Sequence, residues 1–165
     1  MKKYASFLFI FFLFFNIYAQ EVEIPEDYKF KIKNDYKEAE PLVLKSIEWI
    51  QNTPLLEQKS KRKEIYGYLV TWMTGSPSVS IELVEGLVTI DCADCLITFM
   101  SGWTKYSLEN DYSDDRLSCA MAGVERVISF YQKNKSELGK ISDIEKLIKL
   151  KNKGKLLAYV EGKLK

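Results

Sequence analysis

Between residues 113 and 134 an apolar stripe runs at helical spacing: Leu117, Ala120, Met121, Val124, Val127, Ile128 and Tyr131. Positions three and four apart share one face of an α-helix, and no strand keeps such a set together. Cys119, Ala122, Gly123 and Phe130 add a second apolar face to the same segment. A helix that is apolar on two sides must be covered on two sides, so this segment is expected at the centre of a helical domain. Ser113, Asp114 and Asp115 precede it, where carboxylates complement the positive end of the helix dipole. Its burial is expected to include Met121, Val124 and Ile128 on one side and Phe130 or Cys119 on another, with helices 91–109 and 142–153 packed against it.

The rest of the chain carries the same period. Ala39, Val43, Ile47 and Ile50 predict a helix from about Tyr36, stopped by Asn52-Thr53-Pro54. Pro41 is compatible with it only in the first turn, where a missing N–H costs nothing. Ile65, Leu69, Trp72 and Met73 predict a second helix over about 56–73, closed by Gly75-Ser76-Pro77. Asp91 is a natural N-cap for a third, carrying Cys92, Cys95, Leu96, Phe99, Met100, Trp103 and Tyr106 until Glu109-Asn110-Asp111. Ser142 with Glu145 has the spacing of a capping box, Gly154 ends the helix it opens, and a last amphipathic segment holds Leu156, Leu157, Val160 and Leu164. Only 79–90 departs from this pattern. Val79-Ser80-Ile81-Glu82-Leu83 alternates apolar and polar residues, and Leu87-Val88-Thr89-Ile90 follows after Glu85-Gly86, which predicts a small β-hairpin. The expectation is a mainly α fold: about six amphipathic helices packed as helical hairpins in one domain, 35–165, behind an extended arm, 20–34, that contains Pro25. No fixed repeat is visible, and the tetratricopeptide pattern cannot be laid on any window.

Lys2 and Lys3, an apolar run from Ala5 through Phe15, and Ala19 before Gln20 describe a cleaved secretory signal over 1–19. The run is too short to span a bilayer. A periplasmic or secreted product of roughly 146 residues follows, a length that makes one compact domain. Its 22 basic and 23 acidic residues leave a net charge of −1 and no global field to attract nucleic acid. Membrane contact is expected only through the lysine-rich C-terminal segment from Lys140 to Lys165, if anywhere: eight lysines there face Asp143, Glu145 and Glu161. More often such a segment is the solvated side of an amphipathic helix. Lys59, Lys61, Arg62 and Lys63 form a second basic cluster.

The chain contains no histidine. Ser-His and Cys-His nucleophile activation, His-ligated metals and CxxCH haem attachment are thereby excluded. An enzyme would have to run on carboxylates, Lys, Tyr or Cys, and no complete catalytic motif is present; neither a cofactor nor a metal is expected. Glu109, Asp111, Asp114 and Asp115 lack the order of a calcium loop, and helix capping explains them. The sharpest chemical candidate is Cys92-Ala93-Asp94-Cys95, whose spacing at a helix start imitates that of thiol-disulfide enzymes. Three features oppose redox chemistry: every proline lies upstream, Asp91 and Asp94 disfavour a thiolate, and no βαβ pattern surrounds the pair. The other reading is a structural disulfide. Cys119 either bridges to that pair or is a buried free thiol. Trp49, Trp72, Trp103 and Tyr106 are either core residues or, if exposed, the lining of a groove for a peptide, a glycan or a partner helix. These readings together predict a non-catalytic module that binds a protein or small ligand, with a periplasmic thiol-disulfide protein using Cys92 and Cys95 as the alternative.

Overall fold

The computed structural model describes residues 22–165 and is mainly helical. The signal over 1–19 and the first residues of the arm lie outside the described residues. Seven helices follow one another among them: α1 (Lys33–Asn52), α2 (Lys59–Gly75), α3 (Ala93–Glu109), α4 (Arg116–Lys133), the single turn α5 (Lys135–Leu138), α6 (Ser142–Asn152) and α7 (Leu156–Lys163). Consecutive pairs α1/α2, α3/α4 and α6/α7 pack as helical hairpins, and α3/α4 is the most extensive of these contacts. Helices α1 and α2 cover α3, while α6 and α7 cover α4. Val124, Ile128, Phe130 and Cys119 are buried as their spacing implies, whereas Met121 is half-exposed beside α7.

Two glycines explain how closely α3 and α4 approach. A Cβ on Gly102 would lie 2.6 Å from the Ala122 carbonyl oxygen and 2.8 Å from the Gly123 Cα. One on Gly123 would lie 2.8 Å from the Phe99 ring. Backbone meets backbone at this crossing, so only hydrogen fits.

The arm docks through its apolar residues. Val22 and Ile24 are buried, and Tyr28 and Phe30 pack edge-to-face with Tyr68, ring centroids 5.0 and 5.7 Å away. Asp35 then accepts from the backbone N–H groups of Lys31 and Ile32 at 2.7 and 3.1 Å, and this starts α1 at Lys33, ahead of Tyr36. Those two donors hold the Asp35 carboxyl below its ordinary value.

Several expectations are corrected. Pro41 lies inside α1, well past the first turn. Lys37, whose carbonyl loses its helical donor, is exposed like Pro41, so water replaces the missing bond and the buried Val43, Ile47 and Ile50 hold the helix. The hairpin expected over 79–90 does not form. Only one bridge, between Glu85 and Val88, spans the turn at Gly86, and no strand exists among the described residues. Two short strands alone are marginal in water; here Val79 and Leu87 are instead buried singly against the helices. Cys92, not Asp91, caps α3, its sulfur accepting from the Cys95 N–H at 3.2 Å. The Ser142–Glu145 box is absent because the buried Tyr131 takes its place: its hydroxyl accepts from the Ile141 N–H at 3.3 Å and donates to Glu145 at 2.8 Å. Lys135 pairs with the same carboxylate, and these partners hold Glu145 below its usual range.

Candidate functional site

The segment that fails to become a hairpin builds one wall of a groove of about 500 Å³. Its apolar surface comes from Met73, Val79, Ile81, Leu83 and Met100, and hydroxyls of Thr74, Ser76, Ser78, Ser80, Ser107 and Ser113 surround it. Asp114 is the only carboxylate in the lining. A second depression of about 310 Å³, lined by Lys33, Lys37 and Glu40, shares Pro77, Ser78 and Tyr112 with the first, so the two meet at Tyr112.

Tyr112 is held there at a conformational cost. Asp111 and Tyr112 have φ of 53° and 58°, two consecutive non-glycine residues in the left-handed region. Each costs about 1 kcal/mol or more, most for a bulky side chain, and such strain persists only where surrounding contacts impose it. Three contacts do so. Ser113 N–H donates to Asn110 at 2.9 Å, the Cys119 thiol lies 3.5 Å from the Ser113 carbonyl oxygen, and the Tyr112 hydroxyl lies 3.1 Å from both Glu40 oxygens. The Glu40 bond raises the Tyr112 phenol above its ordinary value, so it stays a donor.

The cysteines are settled by their partners. Cys92 and Cys95 are joined in a disulfide with Cα atoms 5.1 Å apart, and Cys119 is free and buried. The expected alternative of a bridge from Cys119 therefore does not occur. Burial, with Asp115 and Asp114 adding, pushes the Cys119 thiol up to about 11. Cys95 is buried, while Cys92 is half-buried and opens onto a depression of about 560 Å³. Asp91, Asp94, Glu137 and Asp143 surround that depression, with Lys140 the one cation in its lining.

Of the two readings of Trp49, Trp72, Trp103 and Tyr106, core residues or the lining of a groove, burial favours the first for the tryptophans, and the groove from these four does not form. All three tryptophans are buried. Trp72 donates to the Tyr36 carbonyl at 2.9 Å, and the Arg62 guanidinium lies 5.4 Å over Trp49. Tyr106 alone reaches a surface, in a shallow trough with Leu117, Met121 and Leu157. Arg62, one of the four cations of the basic cluster at 59–63, is 4% exposed. It donates to the carbonyls of Thr53 and Pro54 at 2.7 and 3.1 Å and to the Tyr66 hydroxyl at 3.3 Å, and that hydroxyl donates to Asp94 at 2.6 Å. Burial, reinforced by Asp94, raises the Tyr66 phenol well above its ordinary value. Asp115 is the N-cap of α4, accepting from Ser118 at 2.6 Å.

Tyr112, Glu40 and the hydroxyl rim are what sequence reading missed. Their one trace was Gly75-Ser76-Pro77, read only as a helix stop. Among the described residues no helix is long and apolar enough to cross a membrane, and no group of three or more metal-ligating side chains converges. No protein-family model, curated protein or solved structure matches this chain.

Proposed function

We propose that this protein is an exported, non-catalytic binding module that takes a small neutral ligand, apolar on one face and rich in hydroxyl or amide groups on the other, in the groove at Tyr112. The strained Tyr112 carries this reading: a bulky residue is kept left-handed at the meeting point of two depressions, where a glycine would be easier to hold. The groove has the size and the mixture of apolar floor and sparse polar groups that ligand sites have.

Nuclear magnetic resonance titration with neutral oligosaccharides and short uncharged peptides is expected to shift Ser78, Ser80 and Tyr112. Tyr112→Gly should weaken the bound member at least about tenfold while leaving the melting temperature unchanged or higher, because glycine relieves the left-handed strain. If no member of the panel perturbs the groove, or if Tyr112→Gly binds as well as the parent, the reading fails.

A thiol-disulfide role has one observation in its favour. Cys92 is the more exposed cysteine and sits at the N-terminus of α3, where the Cys95 N–H would also stabilise a thiolate. The carboxylates around it act the other way. The expected result on titration against glutathione buffers, with alkylation and mass measurement, is a bridge that stays closed. Forced reduction should cost about 2 kcal/mol, the loop-closure value for so short a ring. Reversible cycling under mild reductant would instead favour the redox role.

A further inference from the structure

We propose that the trough between α3, α4 and α7, together with the lysine turn beside it, docks an acidic amphipathic helix of a partner protein. The trough has a volume of about 380 Å³ and exposes apolar surface of Tyr106, Leu117, Met121 and Leu157. Leu157 is 54% exposed although its neighbours in α7, Leu156 and Val160, are buried. From Lys149 to Lys155 every second residue is a lysine and none is acidic, and all four lysines are exposed. Gly154, at φ 65°, closes the turn between α6 and α7 with the Lys155 N–H donating to Leu150 at 2.9 Å. Lys151 reaches Glu125 on the trough's own edge at 3.4 Å. An apolar cleft is thus joined to a row of four lysines, of which Lys151 alone is paired among the described residues.

Charge complementarity selects the occupant. A helix with apolar residues at i, i+3, i+4 and i+7 would seat them in the trough and present flanking carboxylates to Lys151, Lys153 and Lys155. An anionic membrane suits the surface less well, because the cleft is concave and contact would press Glu125 toward the lipid. The site shares no lining residue with the groove at Tyr112, so the two inferences stand or fall separately.

The probe is a fluorescent synthetic helix of about four turns with leucine on one face and glutamate on the other, titrated by anisotropy into the protein. Binding is expected to weaken about tenfold in Leu157→Asp and about tenfold when Lys151, Lys153 and Lys155 are all changed to Glu. Added salt should weaken it too; Leu157→Asp, at an exposed position, should melt as the parent does, and the triple variant, which gives up the exposed Lys151–Glu125 pair, should melt within a few degrees of it. Tyr112→Gly should bind the helix unchanged. Equal binding by parent and both variants, no binding at all, or capture by vesicles of equal parts phosphatidylglycerol and phosphatidylcholine in place of the peptide would overturn the proposal.

Discussion

Gly102→Ala is expected to be among the most damaging single-methyl changes this protein can suffer. In an exposed helix the same substitution stabilises by up to about 1 kcal/mol, because alanine restricts the unfolded chain. At Gly102 the added Cβ would sit 2.6 Å from a carbonyl oxygen of α4 and 2.8 Å from the Cα of Gly123. No flexible side chain can yield; α3 and α4 must move apart, and their contact is the most extensive between helices among the described residues. Overpacking of this kind costs about 1–3 kcal/mol or more, which offsets the propensity gain and reverses its sign. Thermal melting by circular dichroism should show a fall of several degrees for Gly102→Ala. Gly162 in α7 has nothing within 4 Å of its virtual Cβ, so Gly162→Ala should melt at or above the parent temperature. Equal behaviour of the two variants would mean that the close crossing of α3 and α4 is absent.

Arg62→Ala is expected to cost about 2–3 kcal/mol. The half-buried Thr53 carbonyl would lose its donor, the Pro54 carbonyl would keep only the Glu57 N–H at 3.1 Å, and Trp49 would lose the guanidinium above it; a hydrogen bond to a charged group is worth about 1.5–3 kcal/mol. Arg62→Lys should recover little. A single ammonium lacks the planar fork that reaches two carbonyls and a phenol at once, and it would still be desolvated. Lys63→Ala, one residue along and exposed, should stay within about 0.5 kcal/mol of the parent. Urea midpoints measure all three. An Arg62→Ala midpoint matching that of Lys63→Ala would show that the guanidinium holds nothing together.

The same pair of neighbours shows why part of the structure was readable in advance. Apolar spacing placed α2 and α4 well, because a helix's buried stripe is written in the order of its own residues. It said nothing that distinguished Arg62 from Lys61 and Lys63. In a charged run each cation looks alike, and only the approach of the Thr53 and Pro54 carbonyls makes one of them a buried staple. The groove was hidden for a related reason. Val79 to Leu83 alternates as a strand does, yet alternation requires a paired partner to become one, and the helices offered Val79 and Leu87 a better burial. The hydroxyls and Tyr112 came together only after that choice.

By itself, then, the order of residues determined the helical class, the rank of 113–134 as the central element and the ends of helices at Gly75 and Gly154, since each depends on contacts within a turn or two of the chain. Tertiary structure decided the rest. It let Pro41 sit inside α1 by exposing the carbonyl it leaves unpaired, gave Tyr131 the capping role expected of Ser142, left Cys119 a free thiol, and sent three tryptophans inward. Each of these outcomes turns on which group arrives from a distant part of the sequence to satisfy a donor, fill a space or close a bond, and local periodicity carries no record of that arrival.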